Sequence, residues 1–200
     1  MRPIVDFLLR SSPALTTGGA LLAAAALGSI GRANDGAVAL AAGISGALGD
    51  VAAHLIKLFV TEPLYTYLGR DSIPVLGRGP RPPGAERCGW WPWSTTTPAK
   101  TTYGMPSGHA AHAVAMFVFM ELIPTPPASV WYGTVRAILG VLALAVPISR
   151  IALGCHTPGQ SFWGAALGVA IGHACAQLLP RDLTAGDPHG PQKPSKVLLK

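Results

Sequence analysis

The chain has 200 residues, 50% of them hydrophobic and only 12% charged, with a mean hydropathy of +0.39. A soluble domain carries about 25% charged residues, so the composition points to an integral membrane protein. Much of the +6 net charge lies among Gly and Pro in the 61–106 stretch and in the 181–200 tail. That excludes a nucleic-acid reader, which needs a basic face with base-reading chemistry, and favours an anionic lipid surface or a phosphorylated substrate.

Apolar segments follow in order at about 13–30, 36–60, 107–123, 133–150 and 159–179, each near the roughly 20 residues that cross a bilayer. They predict an all-α fold, a polytopic membrane bundle of about five spans. The first follows Arg2 and Arg10 and has the small-residue character of a signal peptide. Asp6, and direct continuation into the second run, favour a retained span. The third is short for a span, and Pro147 interrupts the fourth. The expected organisation is an N-terminal span and connection at 1–35, a catalytic domain at 36–179 with an inserted loop at 61–106, and a disordered tail at 180–200. Within the loop, Trp90, Trp91 and Trp93 read as an interfacial anchor or as a lid over a lipid-entry cleft.

Three cysteines without CxxC spacing make neither a disulfide framework nor a zinc site. Cys175 lies in an apolar run as a small core residue. Cys88 and Cys155 fall on one side of the membrane; a bridge between them is open, and two free thiols is the preferred reading.

Two stretches place polar chemistry against apolar runs: YGMPSGHA at 103–110 and SRIALGCHTPGQ at 149–160. Ionisable groups in such surroundings are costly and mark a functional site. The third segment descends 17 residues from Ser107, roughly 25 Å, and the fourth climbs back 18 residues, roughly 27 Å. His109 and Arg150 therefore return to one membrane face, with His156 in the short connection that follows. The second segment ends there too and brings Lys57, a point charge that can reach a phosphate. Asp50 and His54 share its stripe, either orienting Lys57 or forming an interhelical hydrogen-bond pair. Ser107, after Pro106, is a natural N-cap with Gly108 and His109 in the first turn, and such a helix start suits a phosphate. His112, one turn deeper, reads as a bundle histidine rather than a support for the site.

PSGH at 106–109 and SR-x5-H at 149–156 resemble the second and third signature motifs of the type 2 phosphatidic acid phosphatase / vanadium haloperoxidase superfamily, at that family's separation. Lys57 with Glu62–Pro63 resembles the K-x4-EP start of the first motif in its dolichyldiphosphatase-like branch. The resemblance spans roughly 50–175. It implies that His156 is a nucleophile forming a phosphohistidine and His109 the general acid and then base. Lys57, Arg150, Ser107 and the Gly108 N–H would stabilise the phosphate oxygens, with no metal or cofactor. The expected function is hydrolysis of a lipid phosphate or diphosphate, polyprenyl diphosphate ahead of phosphatidate.

The chain departs from the family twice. Where the first motif continues with Arg-Pro, it has Leu64–Tyr65. Arg81–Pro82 comes later, and Arg81 is expected to fold back into the site, with Arg78 as the substitute. Where most relatives carry an aspartate that holds the nucleophile's ring, the chain has Gln160, and its HT-x-x-Q pattern resembles the dolichyldiphosphatase-like branch, where glutamine stands there. An amide oxygen can still accept from the ring N–H, without a carboxylate's charge. The alternative function is a catalytically silent lipid-phosphate-binding relative acting as an interaction protein, supported by Leu64–Tyr65. A haloperoxidase is disfavoured by the spans and the short chain. The likeness implies a site facing the lumen of the endoplasmic reticulum in a eukaryote, or outward from the plasma membrane in a bacterium. It leaves oligomeric state open.

Overall fold

Glycine at every fourth position of the last apolar segment lets two helices meet backbone to backbone, and the bundle is built around that contact. The computed structural model describes residues 12–29, 32–85, 88, 103–124 and 130–179. Arg2, Arg10, the tryptophans at 90–93 and the tail at 180–200 lie outside the described residues. In chain order the elements are α1 (Ser12–Ser29), α2 (Ala33–Ile56), a π-helical turn (Lys57–Thr61), α3 (Glu62–Leu68), the two-residue strands β1 (Ser72–Ile73) and β2 (Gly77–Arg78), α4 (Gly108–Leu122), α5 (Val130–Ala152) and α6 (Pro158–Leu178).

Helix α4 is central and packs against α2, α5 and α6, with α1 beside α2. On α6, a Cβ at Gly168 would lie 2.6 Å from the Ala111 carbonyl oxygen, and one at Gly172 would lie 2.5 Å from that of Ala115. Gly164 meets the Ser107 backbone in the same way. On the other flank of α4, a Cβ at Gly49 of α2 would lie 2.9 Å from the Ala111 carbonyl oxygen. Such small-residue seams are how helices associate where no hydrophobic force drives them together.

The distribution of side chains is inverted relative to a soluble bundle. Leu22, Ile44, Val51, Phe59, Val141 and Leu144 are exposed on the outside. Ser45, Ser107, His109, His112, Arg150, His156 and Gln160 are buried inside. Outer faces of large apolar residues fit a hydrocarbon surround. Two helical stretches, Asn34–Leu68 and Trp131–Ala152, are long and apolar enough to cross a membrane, and Leu15–Leu27 and Gly108–Leu122 are shorter apolar helices. The apolar core, with Val38, Met116, Phe119, Met120 and Leu139, fills the half of the bundle away from the Ser107 end of α4. At that far end Arg136 donates to the Met120 and Ile123 carbonyls at 2.8 and 3.0 Å, closing the C-terminus of α4.

Two expectations change. Helix α5 runs through Pro147 without a break. The loop expected from residue 61 begins only after Leu68, because α2 continues through the π turn into α3. Pro63 has no N–H for the carbonyl four residues back. The Glu62 N–H instead donates five back, to the Lys57 carbonyl, which is the wider turn. Proline then sits in the first turn of α3, where its missing donor costs nothing. Gly69, left-handed at φ 58°, ends α3.

Candidate active site

The third-motif stretch is folded by its own glycine and cap. Helix α5 ends at Ala152, and Gly154, left-handed at φ 67°, turns the chain back on the helix end. The Cys155 and His156 N–H groups both donate to the Arg150 carbonyl, at 3.0 and 3.1 Å. The six-residue spacing therefore seats His156 beside Arg150. Thr157 then opens α6 through a capping box: its hydroxyl accepts from the Gln160 N–H at 3.2 Å, and its own N–H donates to Gln160 Oε1 at 3.1 Å. The T-x-x-Q pattern of such a box is the sequence signal for this cap at 157–160.

The second-motif stretch is pinned directly to the third. The Ser107 N–H donates to the Gln160 carbonyl at 3.0 Å, so the starts of α4 and α6 are tied together. Ser107 has the extended backbone of an N-cap, and its fully buried hydroxyl accepts from the Ala110 N–H at 3.5 Å. Gly108 faces α2, where a Cβ would overlap the Asp50 carboxylate. His109, one residue further, is 5% exposed and close enough to His156 to act on it electrostatically. Lys57, in the π turn, is within electrostatic range of Arg81, Arg150 and Asp50. His54, by contrast, is exposed. His112 is buried, with Nε2 2.8 Å from the Thr16 hydroxyl of α1.

Between these motifs the inserted loop returns to the site. After α3 the chain forms the β1–β2 hairpin, with Ser72 opposite Arg78. Residues 79–80 then run beside 103–104, with the Gly104 N–H donating to the Gly79 carbonyl at 2.8 Å. Tyr65 is the platform for this return. It is buried, its hydroxyl donates to the Gly77 carbonyl at 2.7 Å, and Gly79 lies flat on its ring. The residue that stands at the departure from the family pattern thus anchors the insertion.

The path delivers Arg81, not Arg78, to the histidine. Arg81 Nη1 donates to the Cys155 carbonyl at 3.1 Å and lies 3.3 Å from His156 Nε2. Arg78 pairs in the hairpin, and its Nε has no hydrogen-bond partner among the described residues. Arg150 is fully buried, and its Nη2 donates to the Cys88 carbonyl at 2.7 Å. Cys88 and Cys155 form a disulfide with Cα atoms 5.6 Å apart. The free-thiol reading is therefore corrected: the insertion brings Cys88 over the end of α5, a proximity that spacing along the chain does not reveal. Cys175 is a free cysteine.

His156 Nδ1 lies 3.3 Å from Gln160 Oε1, an atom that can only accept. Arg81 can only donate, and it approaches Nε2. Both contacts assign the same neutral tautomer, with hydrogen on Nδ1 and the lone pair on Nε2. Burial, followed by the charges of Arg81, Lys57, Arg150 and His109, holds His156 well below the usual histidine range. The site can therefore present a neutral imidazole nitrogen amid a cluster of cations.

Comparison with known proteins returns one family: the model described as the PAP2 superfamily matches residues 37–183. No curated protein and no solved structure matches the chain significantly.

Proposed function

Since the chain belongs to the PAP2 superfamily, a family of phosphatases acting on phosphoric esters, we propose that it is a multi-pass membrane enzyme that hydrolyses a lipid phosphate or diphosphate through a phosphohistidine on His156. The observation that carries this reading is the convergence of His156, His109, Lys57, Arg81 and Arg150 at one end of the bundle. His156 Nε2 attacks phosphorus as the bond to the leaving oxygen breaks, and His109 protonates that oxygen. Water, deprotonated by His109, then attacks the phosphohistidine and releases phosphate. Arg81 turns from Nε2 to a phosphate oxygen when substrate arrives, which frees the lone pair. Lys57, Arg150, the Ser107 hydroxyl and the Gly108 N–H share the developing charge.

Polyprenyl diphosphate is the preferred substrate, supported by Gln160 in HTPGQ and by Lys57 with Glu62–Pro63. In a detergent-solubilised assay, kcat/KM for polyprenyl diphosphate should exceed that for phosphatidate. The reverse order would remove the branch assignment, and no release from either lipid would remove the activity. The Cys88–Cys155 bridge beside the nucleophile supports a site that opens to an oxidising compartment, which is the endoplasmic reticulum lumen in a eukaryote and the outer side of the plasma membrane in a bacterium.

The pH profile follows from His156. Only the neutral ring attacks, and it stays neutral at every pH above its depressed pKa. The acid limb of kcat/KM assigned to this group should thus lie below about 6.5, the ordinary histidine value. Arg81→Ala removes a cation that disfavours the protonated ring, so this limb should move up toward neutrality. A limb that stays in place, or moves down, would contradict the charge coupling.

A further inference from the structure

The Gln160 side chain is fully buried and is engaged at both ends of its amide. Its oxygen accepts from the Thr157 N–H and meets His156 Nδ1. Its nitrogen lies 2.8, 3.1 and 2.8 Å from the carbonyl oxygens of Arg78, Gly79 and Pro80. Three acceptors around the NH2 and two donors around the oxygen leave the amide a single orientation. The Gly104 backbone closes over it, since a Cβ there would fall 2.7 Å from Gln160 Cδ.

Arg81 follows directly on the last of those three carbonyls, and its guanidinium reaches the other nitrogen of the His156 ring. One side chain thus holds the histidine by Nδ1 and gathers the backbone that aims an arginine at Nε2. We propose that Gln160 is a positioning residue that sets Arg81 and His156 relative to each other, and that this site needs a carboxamide at 160. A carboxylate could serve the oxygen side, both the capping box and the ring N–H. It would face the carbonyls at 78–80 with no proton to donate, and an unmet buried acceptor set would release the segment. The inserted arginine and the amide at 160 are then two halves of one device: an arginine delivered from a distant loop has to be collected, and an amide nitrogen collects it. This inference rests on the phosphatase reading only in taking the site to bind a phosphoryl group.

The test uses orthovanadate, a phosphoryl mimic, titrated into the full-length chain in detergent and followed by calorimetry. Gln160→Glu and Arg81→Ala should each weaken vanadate binding about tenfold or more. The double variant should be no weaker than Arg81→Ala alone, because both changes remove one contact. Wild-type affinity in Gln160→Glu, losses that multiply in the double variant, or no vanadate binding by the wild type would each overturn the proposal. Gln160→Leu buries no charge and serves where the Glu variant does not fold; its vanadate loss should be equally non-additive with Arg81→Ala. Where both variants fold, leucine also frees the ring, so its kcat should fall further than that of Gln160→Glu, a difference that a purely structural role would not produce. A wild-type chain that shows this binding pattern yet releases phosphate from no lipid would sink the phosphatase reading and leave the role of Gln160 standing.

Discussion

His156→Ala should lower phosphate release by about 10³–10⁶-fold, the range seen when a nucleophile is removed and the remaining site only binds. The expectation follows from the ring's two contacts. Nδ1 faces Gln160, and Nε2 is left as the lone pair among Arg81, Lys57 and Arg150. His109→Ala should cost less, about 10²–10⁴-fold, as for loss of a general acid. The two variants are separated by trapping. Rapid quenching with labelled substrate should leave acid-labile label on the wild-type chain and none on His156→Ala. Release by His156→Ala at the wild-type rate, or label that survives in it, would move the nucleophile elsewhere.

Loss of the Cys88–Cys155 bridge should be the largest single blow to stability. The cross-link joins positions 67 residues apart, and in the chain-entropy account a loop of that size is worth about 4 kcal/mol. Cys88→Ser should therefore melt on the order of 10 °C lower than the wild type. It should also lose activity, because the two half-cystines lend their carbonyls to the two arginines: Cys88 to Arg150 and Cys155 to Arg81. Without the bridge, the Cys88 carbonyl loses the cross-link that ties it to the end of α5 beside the fully buried Arg150. Thermal unfolding with and without reductant measures this. Reductant should lower the wild-type midpoint and leave Cys88→Ser unchanged, its remaining cysteines, Cys155 and Cys175, having no bridge to lose. A wild-type melt indifferent to reductant would refute the bridge.

Much of the bundle was legible in the chain because its information is local. Apolar runs expected at 13–30, 36–60, 107–123, 133–150 and 159–179 appear as helices 12–29, 33–56, 108–122, 130–152 and 158–178. A run of side chains that cannot leave hydrocarbon has only the helix for its backbone polar groups, and helix rise is constant. Those two facts by themselves carry His109, Arg150 and His156 to one end of the bundle. Side-chain direction was less secure. Asp50, His54 and Lys57 share a stripe by spacing, yet His54 is exposed, since a spread of three and four residues wanders across the edge of a buried face.

What the sequence determined by itself is the helices at the apolar runs, their approximate lengths, and the end of the bundle at which the polar motifs meet. What only the tertiary structure decided lies in and around the insertion. Arg81 rather than Arg78 reaches His156, Cys88 finds Cys155, Tyr65 becomes a platform, and Gln160 turns from a weaker aspartate into a two-ended clamp. A segment of glycine, proline and arginine has no period to read, and its path is set by distant hydrogen bonds: the Gln160 amide on the carbonyls at 78–80, and the Tyr65 hydroxyl on Gly77. Helices are specified by neighbours along the chain, whereas this loop is specified by neighbours in space.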